Sequence, residues 1–121
     1  VNRYHQVPVL IDQSEDADVS EAAEILGYRV VGILVPASWD GGYLSIMVDP
    51  NGNGTFYDLC RPDSGNPATF DDPGASNIVM TAGGVRNEPN QPVFIVGHSI
   101  KVKCESNVAG DRKLILLCVT L

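Results

Sequence analysis

Residues 28–59, YRVVGILVPASWDGGYLSIMVDPNGNGTFYDL, leave room for nothing longer than short strands. Three apolar runs, 28–35, 43–48 and 55–59, are each bounded by Pro, Gly, Asn or Asp, residues that extended ladders exclude and turns require. They read as three consecutive strands. Between the second and third, Asp49-Pro-Asn-Gly-Asn-Gly54 tolerates the positive φ that a tight reversal demands. Between the first and second, Pro36 ends one ladder and Gly41-Gly42 permits re-entry after a longer connection.

The same reading extends to both ends of the chain. Residues 99–105 alternate, with Ile100, Val102 and Cys104 facing inward and Lys101, Lys103 and Glu105 outward. Residues 113–121 are apolar at both parities, as in a strand buried on both faces or lying at a subunit interface. Shorter strands are predicted at 78–81 and 93–96, separated by Gly83-Gly84 and by Asn87-Glu-Pro-Asn-Gln-Pro92, and a short run at 68–70 sits between two turn clusters. Residues 19–26 fit either one helical face (Val19, Ala22, Ala23, Leu26) or a hairpin strand, and are read as strand. About eight strands with turns between them predict an all-β single domain, a β-sandwich or jelly roll. Its inter-sheet layer is expected from Ile33, Val35, Leu44, Ile46, Ile100, Val102, Leu114, Leu116 and Cys118.

Ahead of that domain, placed at 19–121, residues 1–18 read as an arm and an acidic link. Pro8 bars both a helix interior and a central place in a sheet, leaving an edge strand or an extended arm. Val7, Val9, Leu10 and Ile11 are apolar without an obvious local cover. The expectation is that this arm makes intermolecular contacts and that its removal leaves folding nearly unchanged. Residues 12–18 are expected to be solvated.

Composition narrows the class. A chain of 121 residues with 44% hydrophobic and 19% charged residues can bury a core without staples. The net charge of -7 argues against a sequence-independent grip on nucleic acid, which needs Lys and Arg to neutralise phosphates. Cys60, Cys104 and Cys118 are odd in number, far apart and without metal-ligand spacing, so neither a disulfide framework nor a zinc site is expected, and Cys104 and Cys118 read as small buried hydrophobes, a usage that fits cytoplasmic assembly. No signal-like apolar region and no run of about 18 apolar residues occurs, so no membrane partner is expected. A start at Val1 implies processing that removed at least an initiator.

Four constellations bear on chemistry. Asp49 to Gly54 matches the opening D-x-[DN]-x-[DN]-G of a calcium loop, but Cys60 stands where a bidentate Glu closes the shell, so a hairpin turn without calcium is expected. Gly97-His-Ser-Ile-Lys101 begins like a G-x-S-x-G nucleophile elbow, yet Lys101 replaces the second Gly and the chain continues as a strand. His5 and His98 are too sparse for a metal site, and the acidic N-terminal segment lacks an apolar pocket to raise a carboxyl pKa. No catalytic residue, cofactor or metal is therefore expected. Trp39, Tyr43 and Tyr57 remain as candidate interaction residues, either as sugar-stacking platforms of a carbohydrate-binding module or, for Trp39, as a loop anchor.

Gly32-Ile-Leu-Val-Pro-Ala-Ser-Trp39, Leu44-Ser-Ile46 and Asp49 to Gly54 followed by Thr55-Phe-Tyr-Asp-Leu59 resemble, in order, the pattern G-I-x-x-P-x-x-W, L-[ST]-F, D-G-x-x-F-x-x-L of small tailed-bacteriophage proteins associated with virion heads. Ile100-Lys-Val102 and Asp111-Arg112 resemble that group's closing I-K-[IV]-R-S and D-R-x-[IL]-x-[LV] strands. The likeness covers residues 19–121 and departs at Lys103-Cys-Glu105, where the pattern has Arg-Ser-Gly, and throughout 62–91. The resemblance implies a β-sandwich virion component on the capsid surface, assembled in the host cytoplasm. It implies a capsid decoration or cement protein that binds the major capsid protein or other virion proteins and stabilises the head. A homotrimer is the leading expectation for self-association, and a head-tail or tail-associated role stands next.

Overall fold

The apolar run near the C-terminus becomes the longest strand and the axis of one sheet. In a computed structural model that describes residues 4–81, 84–88 and 91–121, β9 (Arg112–Thr120) lies between β1 (His5–Ile11) and β3 (Tyr28–Leu34), and β7 (Ile78–Met80) flanks β3. This is sheet A. Sheet B is built on β4 (Leu44–Asp49), paired from Leu44–Cys104 to Asp49–Ser99 with β8 (Ser99–Cys104). β2 (Ala23–Glu24) extends β8, while β5 (Tyr57–Asp58) and β6 (Thr69–Phe70) share the other side of β4. Among the described residues these nine strands, all paired antiparallel, make a β-sandwich with no α-helix, in agreement with the sequence-based fold class. Residues 1–3 of the expected arm, Gly83, and Pro89 and Asn90 of the connection before 93–96 lie outside the described residues.

The core is the inter-sheet layer that the alternation predicted. Ile33, Val35, Leu44, Ile46, Ile100, Val102, Leu114, Leu116 and Cys118 are each at most 1% exposed. Val30 and Ile33 both face inward although three residues apart, which a period of two forbids. A β-bulge resolves this: Val30 pairs with Cys118 and Gly32 with Leu117, so Val31 is the extra residue. The Val30 carbonyl accepts a bond from Thr81 Oγ1 at 3.0 Å, and its N–H donates to Ile95 O at 3.0 Å.

The arm expectation is corrected here. Residues 5–11 are a full strand, paired with β9 from His5–Cys118 to Ile11–Arg112, and Val9 and Ile11 join the core cluster. The cover that the sequence does not reveal locally is the inter-sheet core, over which pairing with β9, about a hundred residues away in the chain, places Val9 and Ile11. The link at 12–18 is also tied down, since Cys104 N–H donates to Asp18 O and Val108 N–H to Ala17 O, both at 2.9 Å. β1 does remain an edge strand, as Pro8 requires.

Two shorter expectations also change. Residues 19–26 form a strand only at 23–24, with a bridge from Val19 to Lys103, because Val102 N–H donates to Ser20 Oγ and Glu21 N–H to Leu10 O, which interrupts the ladder with β8. The 93–96 run contributes one bridge, Val30–Ile95, since β7 already occupies the adjoining part of the β3 edge.

Candidate functional site

The two sheets present unlike exteriors. On sheet B, the register puts Ser45 opposite Lys103 and Thr69, and Met47 opposite Lys101, on the face away from the core. The Lys101 ammonium sits 4.6 Å from the Phe56 ring centroid, so this face is polar with its apolar ring shielded by a cation. That is an ordinary solvated sheet surface.

Sheet A differs. The alternation that sends Val9, Leu114, Leu116 and Ile33 inward sends Pro8, Leu10, Ile115, Leu117, Val119 and Leu34 outward. Leu117 is nearly buried yet stands outside the inter-sheet core cluster. Beside it, Gly32 leaves a hollow into which β7 leans: a Cβ at Gly32 would lie 3.1 Å from Met80 Sδ and 3.3 Å from Ile78 Cδ1. Leu34, Ile78 and Met80 remain 37%, 40% and 40% exposed. Past the end of β7, Ile95 turns inward and leaves Phe94 and Val96 outward, Phe94 at 66% exposure under the Arg29 guanidinium. The charged side chains on these strands' outer face are Arg29, opposite Val119, and Lys113, opposite Leu10, at opposite ends. This outer face is therefore apolar over most of its centre, with a cation at each end.

The residues expected to interact fall in different places. Of the four apolar side chains of β1, Leu10 is turned toward this outer face, whereas Val9 and Ile11 are turned into the core and Val7 packs partly against it. Trp39 is 8% exposed, with its indole N–H donating to Gly42 O at 3.2 Å, so it anchors the connection between β3 and β4. Tyr43 lies at the start of β4 beneath the Arg86 guanidinium, 4.6 Å from the ring centroid, while Tyr57 pairs with Val48 at the other end of that strand. These three aromatics form no common stacking platform. Leu34, Ile78, Met80 and Phe94 escaped the sequence reading, although apolar residues at both parities in 78–80 and 93–96 were a signal for them.

The polar constellations have structural employment. Asp49 is buried, and its Oδ1 accepts bonds from Asn51 N and Gly52 N at 3.1 and 2.9 Å while Oδ2 accepts one from Gly54 N at 2.9 Å. Burial works against its charge, but the N–H groups of Gly54, Asn51, Gly52 and Asn53 outweigh that and hold its pKa below the usual value. Donors converging on a carboxylate make it a turn anchor, with Gly52 and Gly54 supplying φ of 72° and 83°. His98 Nδ1 lies 2.8 Å from Ser99 Oγ, but Ser99 opens β8, so no strand-to-helix elbow exists at that serine. His5 instead stacks on Tyr28, with ring centroids 4.2 Å apart. Cys104 and Cys118 are buried as expected, in different sheets, and burial pushes both thiols up to about 11. Arg112 donates from Nε and Nη2 to Asp40 at 3.1 and 3.2 Å, keeping that carboxyl below its usual range and fixing the 36–43 connection to the start of β9.

Among the described residues no group of three or more His, Cys, Asp or Glu is placed to hold a metal ion. No helix described is long and apolar enough to cross a membrane. Comparison with protein-family models, with curated proteins and with solved structures found no match to this chain.

Proposed function

We propose that this chain is a non-enzymatic structural component of a bacteriophage virion, a capsid decoration or cement protein that binds between capsid subunits and stabilises the head. The observation that supports the reading is the unequal sandwich: the outer face of the four-stranded sheet is largely apolar and partly exposed, while the opposite outer face is mostly polar. A protein that works by adhesion needs such a face on a stiff scaffold, and needs no concave pocket lined by activated groups. The polar side chains that might have carried catalysis are occupied in turns and strand ends.

The virion assignment is supported by the resemblance of residues 32–59 and 100–112 to small phage head proteins. Those motifs fall on β3, its Trp-anchored connection, β4, the Asp49 hairpin, β8 and the start of β9. They are scaffold elements, which is consistent with a family that varies its loops on a constant sandwich.

Cryo-electron microscopy of virions with and without this chain tests the proposal. The expected result is sandwich-shaped density on the head lattice, lost on gene deletion, with the deleted particles releasing DNA at lower temperature. Absence from the head lattice overturns the reading, and presence confined to the tail replaces it with a tail-associated role.

A further inference from the structure

The turn that Asp49 anchors holds two asparagines in a reactive context. Asn51 and Asn53 are the asparagines of this chain that are followed by Gly, and they lie in a segment exposed from Asn51 to Thr55. A glycine has no side chain to shield its backbone nitrogen, which leaves that nitrogen open to attack the amide of the preceding Asn. We infer that Asn53-Gly54 is a latent deamidation site, and that the Asp49 carboxylate gates it by holding the Gly54 N–H. Neither the site nor its gate depends on what the sheet A exterior binds.

The reaction needs only water and solvent base. The Gly54 nitrogen bonds to Asn53 Cγ and gives up its proton, while the bond from Cγ to Nδ2 breaks and the amide nitrogen leaves, protonated by water, as ammonia. Water then opens the resulting succinimide at either carbonyl, leaving an aspartate or its β-linked isomer at 53. Ammonia is lost and water gained, with no oxidant or reductant.

In the folded chain the nucleophile is withheld. Gly54 N–H donates to Asp49 Oδ2 at 2.9 Å, and Gly52 N–H donates to Oδ1 at the same distance. Attack requires that proton to leave, and a carboxylate so close disfavours a second negative charge on the nitrogen. Nor does Asp49 serve as the base, because the N–H groups that converge on it hold its own pKa below the usual carboxylate value. Its side chain is buried, so the clamp persists until the turn opens.

Behind that gate the two asparagines are not equivalent. Asn53 Oδ1 accepts a bond from Thr55 N–H at 3.0 Å, which draws electrons from Cγ, the atom to be attacked. Ring closure also moves the following glycine. A Cβ at Gly54 would meet nothing within 4 Å, whereas one at Gly52 would lie 2.8 Å from His98 Cδ2, so Gly54 has room to shift and Gly52 is packed against the imidazole. Asn53 therefore reacts first when the clamp is lost from an otherwise folded domain. The β-linked product lengthens the backbone by one atom inside the turn, and the clamp cannot re-form around it. Opening of the turn is in this way recorded irreversibly.

Incubation at mildly alkaline pH in heavy-oxygen water tests this, with peptide mass spectrometry placing the incorporated oxygen at 51 or 53. Folded wild type is expected to react about tenfold or more slowly than the same chain in urea, where the two positions react alike. Asp49→Asn preserves side-chain size and adds no further reactive pair, since Pro50 has no N–H to cyclise. With its folding checked by Trp39 fluorescence, that variant is expected to react about tenfold faster than folded wild type, at 53 before 51. Folded wild type that reacts as fast as the unfolded chain overturns the gate, and a folded Asp49→Asn at the wild-type rate overturns the part given to Asp49. Reaction at 51 before 53 in the folded variant overturns the assignment to Asn53. Should Asp49→Asn not fold, hydrogen exchange of the wild type decides the role of the clamp: the Gly54 N–H is expected to exchange about tenfold or more slowly than in an unstructured peptide, and exchange at the peptide rate overturns it.

Discussion

Truncating the inward side chains of β1 distinguishes a core strand from a detachable arm. Val9 and Ile11 are 3% and 0% exposed, and both sit in the core cluster. At about 0.8 kcal/mol per buried carbon, Ile11→Ala forfeits about 2.4 kcal/mol of transfer energy and Val9→Ala about 1.6. Cavities left in a close-packed layer add to this, and isoleucine truncations in cores cost about 2–5 kcal/mol. The double variant should therefore lose about 4 kcal/mol or more. At about 0.05–0.15 kcal/mol per residue, a domain of this length holds roughly 6–18 kcal/mol in total, so that loss is a large fraction. The assay is urea unfolding followed by the fluorescence of Trp39, the single tryptophan, which is buried when folded. The midpoint should fall with the slope unchanged, and Leu10→Ala, on the outward face, should cost under about 1 kcal/mol in the monomer. A double variant within about 0.5 kcal/mol of wild type refutes the reasoning and restores the free arm.

Ile46→Asp places an unpaired charge between the sheets at a cost of several kcal/mol and should abolish the cooperative transition; a soluble variant that melts cooperatively would show that β4 faces solvent there. Because the folded pKa of Asp49 lies below the reference value of 3.8, its contribution is complete above that pH and is lost as pH falls through the lowered value. The wild-type urea midpoint should accordingly drop more steeply below about pH 4 than that of Asp49→Asn, and parallel profiles would contradict the anchoring role. A disulfide reagent at pH 8 should label Cys60 in the folded protein and Cys104 and Cys118 only after unfolding, since burial raises both of those thiols to about 11. Rapid native labelling of three thiols contradicts their placement in the core.

Strand positions were legible wherever alternation or punctuation was strong. β4 and β8 fall within a residue of their expected bounds, and all nine predicted core positions are buried, because a period of two next to Pro, Gly and Asn turns is a local property of the chain. The turn at Asp49 to Gly54 was legible too, since a turn anchored by its own first carboxylate needs only neighbouring N–H groups.

The sequence by itself thus determined an all-β domain, the central strands β4 and β8 of sheet B and nine residues of the inter-sheet layer. Tertiary structure alone decided what depends on distant partners. Val7, Val9, Leu10 and Ile11 look alike in the sequence, and only pairing with β9 separates a core pair from an outward residue. The bulge at Val31 shifts parity within β3 so that Val30 and Ile33 share a face, which no local period can announce. The apolar exterior of sheet A arises the same way: Leu10, Leu34, Ile78, Met80 and Ile115 lie on four strands that become neighbours only when the sheet closes. Local patterns fix which residues share a strand face, whereas long-range pairing fixes which strand faces share a surface.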